Sequence, residues 1–106
     1  MTESKFRLEG YQKRYLRGLA NPLEPVVMIG RRGITESLVQ KVDASLESHE
    51  LIKIRFQEFK EEKKRMSEEI AEKTSSVVVG IVGHVAMLYR GHPDPEKRKI
   101  DLPQRE

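Results

Sequence analysis

The spacing of apolar residues changes several times along this chain, and each change marks an element. Leu8, Tyr11, Tyr15, Leu16 and Leu19 recur at helical spacing, which predicts an amphipathic helix over 8–19 with Lys13, Arg14 and Arg17 on its polar side. Pro22 disfavours helical backbone in the residue before it, so this helix should stop near Asn21 and give way to a stiff connection over 21–25. The uninterrupted apolar run 26–29 reads as a short covered strand that ends in Gly30-Arg31-Arg32-Gly33. Ile34, Leu38, Val42 and Leu46 then repeat every fourth position, widened by Val39, with Thr35 as N-cap and Glu36 in the positive first turn. Over 51–56 the period falls to two: Ile52, Ile54 and Phe56 point one way, and Leu51, Lys53 and Arg55 the other. A third helix over about 60–74 carries Met66 and Ile70, and its charged start KEEKKR reads as a solvated face. Strands over 77–82 and 85–89, turned by Gly83-His84, complete the pattern.

The order is a helix followed by βαβαββ. Strands joined through a helix run parallel by right-handed crossovers, which places both crossover helices on one face of the sheet. The expected fold is therefore a two-layer α/β (α+β) sandwich with a four-stranded mixed sheet and a final antiparallel hairpin. The first helix should cover the apolar surface that the last two strands leave open, and Tyr11, Tyr15, Phe56 and Tyr89 are expected in the core. Residues 1–92 form the single expected domain. The tail 93–106, with its prolines and charges, is expected to be flexible.

Composition narrows the chemistry. No cysteine is present, so disulfide and cysteine-metal frameworks are excluded. The most apolar window, 77–89, is shorter than the ~20 residues that span a bilayer as a helix, and the start MTESKFRLEG has no signal-peptide core. A soluble cytoplasmic protein without membrane contact is expected. The net charge of +3 is small but unevenly placed. Lys5, Arg7, Lys13, Arg14, Arg17, Arg31 and Arg32 face only Glu3, Glu9 and Glu24 in residues 1–33, whereas Lys41 faces Glu36, Asp43, Glu47 and Glu50 in residues 34–50.

No serine stands in a nucleophile elbow, and His49, His84 and His92 have neither the i,i+4 partners nor the acidic neighbours of a metal site. No enzyme activity, cofactor or metal is expected. The Gly30-Arg31-Arg32-Gly33 turn is the informative feature. It joins a strand end to a helix start, where free backbone N–H groups and the helix dipole favour an anion. Its glycines permit positive φ and close approach, and its arginines supply planar donors for phosphate oxygens. Two glycines in a tight turn with solvated arginines would also give this pattern. The spacing is not that of a dinucleotide or nucleoside-triphosphate loop, which points to a polymer backbone, and Lys13, Arg14 and Arg17 would extend the track. Lys53 and Arg55 form a reserve surface, for which solvation of an open sheet face is the simpler account.

The stretch KRYLRGLANPLEPVVMIG over 13–30 resembles the opening of a CRM domain, the chloroplast RNA splicing and ribosome maturation family with single-domain bacterial YhbY-like members. Gly33-Ile34-Thr35-Glu36, His49-Glu50-Leu51-Ile52-Lys53-Ile54, Val82-Gly83 and Leu88-Tyr89-Arg90 continue the resemblance to about residue 90. It implies a fold like the C-terminal domain of translation initiation factor three. It also implies RNA as partner, in the setting of the maturing large ribosomal subunit and its ribosomal RNA; related organellar domains assist group II intron splicing. The implied RNA-binding residues are Gly30, Arg31, Arg32 and Gly33 in the GxxG loop, Lys13, Arg14 and Arg17 on the first helix, and Arg90. Gly80 is an extra glycine relative to the family pattern and leaves the third strand's register open. The chain is expected to act as a monomer. The alternatives are a protein-interaction module that sets its basic face on an acidic partner, and an enzyme holding a small phosphorylated ligand at the glycine loop.

Overall fold

In the computed structural model, the described residues are 8–104. They form α1 (Gly10–Ala20), β1 (Val27–Ile29), α2 (Glu36–His49), β2 (Leu51–Phe56), a 3₁₀ turn (Lys60–Glu62), α3 (Lys63–Thr74), β3 (Val77–Val82) and β4 (Val85–Tyr89). Lys5 and Arg7, counted among the early cations, lie outside the described residues. The sheet order is β1-β2-β4-β3, with β1 parallel to β2 and the other two pairs antiparallel. This is the mixed sheet that the element order predicts. Among the described residues, no helix is long and apolar enough to cross a membrane.

Local chemistry sets the element ends. The Glu9 backbone N–H donates to Gln12 Oε1 at 3.0 Å and fixes the first turn of α1. Thr35 Oγ1 accepts from the Leu38 N–H at 3.0 Å and caps α2. Helix α3 ends with Ser75 in the left-handed region, and the Ser76 N–H returns to the Ala71 carbonyl at 2.8 Å.

Alternation in β2 divides the core. Ile52, Ile54 and Phe56 face α2 and α3 with Val27, Ile29, Val42, Leu46, Met66, Ile70, Ala86 and Leu88. Leu51, Val79, Met87 and Tyr89 face the opposite side, where Leu16 and Ala20 of α1 cover them. The register left open at Gly80 is a β-bulge: Val78 pairs with Leu88 and Gly80 with Met87, so Val79 is the extra residue. Arg17 Nη1 donates to the Val79 carbonyl at 2.8 Å, and the arginine stem lies across Gly80. A Cβ at residue 80 would stand 2.6 Å from Arg17 Cδ, so the extra glycine makes room for this arginine.

Two expectations need correction. The buried face of α1 is Gln12, Leu16 and Ala20, whereas Tyr15 is 42% exposed and Leu19 is exposed as well. The helix is rotated because small Ala20 permits close approach to the sheet and Gln12 Nε2 is held by the Pro103 carbonyl at 3.1 Å. That second contact belongs to the other correction. The tail, expected to be flexible, is docked over its described part: Ile100 and Leu102 pack on the cluster under α1. Glu50, only 1% exposed, holds it in place. One carboxylate oxygen accepts from the Lys99 and Ile100 N–H groups at 3.0 Å each, and the other accepts from the His92 N–H at 2.9 Å.

Candidate functional site

Strand β1 is short, and its end is tied to the segment after β2. The Ile29 carbonyl accepts from the Gln57 and Glu58 N–H groups at 3.0 and 3.2 Å. The chain then turns, with the Gly33 N–H donating to the Gly30 carbonyl at 3.0 Å. Only Gly33 of the two loop glycines has positive φ, +67°, and a Cβ there would meet Phe59 Cε2 at 3.4 Å. Gly30 does not adopt positive φ, so of the two features the glycines permit it keeps only the close approach. A Cβ at Gly30 would meet nothing within 4 Å, so the space above it is open to an approaching ligand.

Arg31 and Arg32 form the tip of this turn and are exposed. Neither guanidinium has a hydrogen-bond or ion-pair partner among the described residues. The turn leads within a few residues to the capped N-terminus of α2, whose dipole adds positive potential. Two free planar cations beside a helix N-terminus form an anion-binding arrangement, suited to phosphate by donor geometry.

Further cations share this end of the sheet. The hairpin tip is tied to β2 by the Phe56 N–H donating to the His84 carbonyl at 2.8 Å. Lys63 Nζ donates to the Gly83 carbonyl and lies 3.2 Å from His84 Nδ1. Reduced hydration of the ring, followed by the charges of Lys63, Lys60 and Arg55, lowers the His84 pKa, with Glu61 opposing. The loop, the α3 entry and the hairpin tip thus make one basic rim.

Phe59 also borders the loop, without a periodicity in the chain to mark it. It sits in the left-handed region before the 3₁₀ turn, 39% exposed and against Gly33. Its only signal was an aromatic residue in a polar connection.

The remaining cations divide between two places. Lys13 lies one helical turn before Arg17 on α1 and is half-buried, and Arg14 is exposed. Arg90 is elsewhere, at the end of β4 far from the hairpin tip. Its side chain is 14% exposed and donates to Asp43 Oδ1 at 2.6 Å and to the Thr74 carbonyl at 2.8 Å, with Glu47 at 3.4 Å. Its donors tie β4 to α2 and α3, so this guanidinium is committed within the fold and stands apart from the glycine loop. Among the described residues, no group of three or more His, Asp or Glu is placed to hold a metal ion. Surface clefts of about 400 and 500 Å³ lie among the described residues, and neither of these is lined by a residue of the 30–33 loop.

Comparisons with known proteins place the chain among relatives named for RNA binding. An RNA-binding protein of Haemophilus influenzae is 38% identical over 95 residues, covering 89% of this chain and 93% of that protein. The Bacillus subtilis protein named "Probable RNA-binding protein YqeI" is 32% identical over 97 residues, covering 91% and 99%. The solution structure of a Staphylococcus aureus protein described as a candidate RNA-binding protein superposes with a TM-score of 0.78 at 38% identity, covering 92% of this chain and all of that one. The CRS1 / YhbY (CRM) domain model matches residues 8–90, and this chain therefore belongs to that family.

Proposed function

We propose that this protein is a non-catalytic RNA-binding protein that grips the phosphate backbone with its Gly30–Gly33 turn. The observation that carries this reading is the pair of exposed guanidiniums of Arg31 and Arg32, without a partner among the described residues, on a turn that opens a helix. Gly33 shapes the turn, the open space over Gly30 admits the backbone, and Arg31 and Arg32 neutralise phosphates. Lys13, Arg14 and Arg17 extend the track along α1, and Phe59 offers an aromatic face beside the loop for an unstacked base. Phosphate contacts position a protein without reading sequence, so RNA shape carries the specificity.

The RNA is ribosomal RNA of the large-subunit precursor, and the protein assists ribosome assembly in the cytoplasm as a monomer. Relatives named as RNA-binding proteins support RNA as the partner, and the ribosomal setting is what the CRM family resemblance implies. Crosslinking in cells followed by sequencing of the bound RNA tests it. Enrichment of large-subunit precursor fragments is expected. Enrichment of messenger RNA alone would refute the ribosomal assignment, and absence of crosslinked RNA beside a stable protein partner would replace RNA binding with a protein-docking role.

A further inference from the structure

The face of the sheet that carries α1 is only partly covered. Register places Met28, Arg55, Val85 and Val82 in one row across all four strands at the end nearest the loop. Met28 is exposed, Val82 is 66% exposed and Arg55 is exposed, with no hydrogen-bond or ion-pair partner among the described residues. Beside this row lies the cleft of about 400 Å³, walled by the end of α1, the connection over 23–25 and the exposed face of the sheet.

The lining has a definite chemistry. It is mixed: Val82, Val85 and Met87 supply apolar surface, and Arg17, Lys53 and Arg55 stand beside them against the one carboxylate of Glu24. Lys53 Nζ is held by the Asn21 and Leu23 carbonyls at 3.0 Å each, so it contributes charge and a braced wall. Arg17 is anchored by one nitrogen to Val79, which leaves the rest of its guanidinium fork available. Arg55 is wholly uncommitted. The Asn21 side-chain amide, which makes no hydrogen bond within the described residues, offers both a donor and an acceptor. Apolar side chains for a ring, an amide for its edge and cations for its phosphate describe a nucleotide. The volume lies at the small end of ligand sites, and a concave pocket of this size admits one unpaired nucleotide but not a duplex.

Continuity with the loop strengthens the assignment. Arg55 pairs in register with Met28, two residues before Gly30, so by strand geometry its Cα lies about 8 Å from the loop's first residue. A single strand held at Arg31 and Arg32 can pass Arg55 and enter the cleft.

We propose that this cleft is a second RNA subsite, which takes one unpaired nucleotide of a single strand leaving the glycine loop, with Arg55 as phosphate ligand. The subsite rests on the RNA-binding reading above, and its test separates the two. Wild type, Arg55→Gln and Val82→Glu are titrated with a short single-stranded RNA and with a blunt RNA duplex of the same length. The methyls of Met28, Val82, Val85 and Met87 and the amides of the 31–33 turn are followed by NMR. Both variants alter exposed side chains, so their folds should be kept, and wild-type-like spectra verify this before titration. The subsite predicts that single-stranded RNA shifts methyls and turn amides together. It also predicts that Arg55→Gln weakens that binding about tenfold, as expected for one charge-assisted contact, while duplex binding stays the same. Shifts confined to the turn, or equal losses on both RNAs, would overturn the subsite and leave the loop reading standing. A wild-type protein that binds neither RNA would overturn the loop reading first.

Discussion

The Glu50 carboxylate is the sharpest structural commitment in this fold, and Glu50→Gln tests it without changing side-chain size. The two carboxylate oxygens accept three backbone N–H groups from the segment after β4, at 2.9 to 3.0 Å, in a position that is 1% exposed. A glutamine presents an oxygen on one side only. If that oxygen stays with Lys99 and Ile100, the amide NH₂ faces the His92 N–H, donor against donor. One charge-assisted bond worth about 1.5–3 kcal/mol is then lost, and two others become neutral, each weaker by about 1 kcal/mol. The neutral amide is easier to bury than a charge and offsets part of this, which leaves a net loss of about 2–3 kcal/mol. Residue 50 has a positive φ of 66° in a non-glycine residue, and glutamate and glutamine bear that strain equally, so it cancels. For a domain of this size the loss corresponds to about 10–20 °C in Tm. Urea denaturation measures it as a lower midpoint at unchanged slope, and hydrogen exchange at the His92, Lys99 and Ile100 amides shows whether the tail is released. An unchanged midpoint, or a lower one with those amides still protected, would refute the role assigned to the carboxylate.

The loop glycines should behave differently from each other. Gly33→Ala forces a Cβ into the left-handed region and against Phe59, so its urea midpoint should report a loss of about 1–2 kcal/mol. Gly30→Ala meets open space, so its stability should stay within about 0.5 kcal/mol of wild type while its RNA affinity falls in a filter-binding or anisotropy titration. Arg90→Met should lower stability by about 1–3 kcal/mol, because the Thr74 carbonyl and Asp43 lose their donor, yet leave the RNA affinity of the folded protein unchanged. The His84 pKa is lowered from 6.5, so the folded chain binds this proton less readily than the unfolded one. The associated stability is present above the ordinary value and lost as pH falls through the lowered one. His84→Asn should flatten that acid limb in urea midpoints measured across the histidine range.

Much of this fold was legible because its strands and crossover helices have periods that burial alone enforces. The four-residue repeat of Ile34, Leu38, Val42 and Leu46, and the alternation through Ile52, Ile54 and Phe56, follow directly from facing one core. The turn at Gly30–Gly33 was legible for a related reason: a strand end, two glycines and a helix cap leave little choice of position. What escaped was set by contacts distant in sequence. The orientation of α1 depends on the Gln12–Pro103 bond and on a cluster shared with Ile100 and Leu102. Nothing within 8–19 records those partners, so the helical stripe alone points amphipathic Tyr15 inwards. A buried Glu50 and a docked tail explain each other, but each alone looks like a solvated acid and a charged, proline-containing extension. Arg90 resembled a free cation until α2 supplied Asp43 and Glu47 beneath it.

The central claim is that Arg31 and Arg32 neutralise RNA phosphates. The direct measurement is the salt dependence of binding to one structured RNA with a single-stranded arm, compared between wild type and Arg31→Ala/Arg32→Ala. Each phosphate contact on single-stranded RNA adds about 0.7 to the steepness of log K against log salt, so losing both contacts should flatten the slope by about 1.4 while the melting temperature holds. An unchanged slope with unchanged affinity would contradict the account and place the RNA elsewhere on the protein.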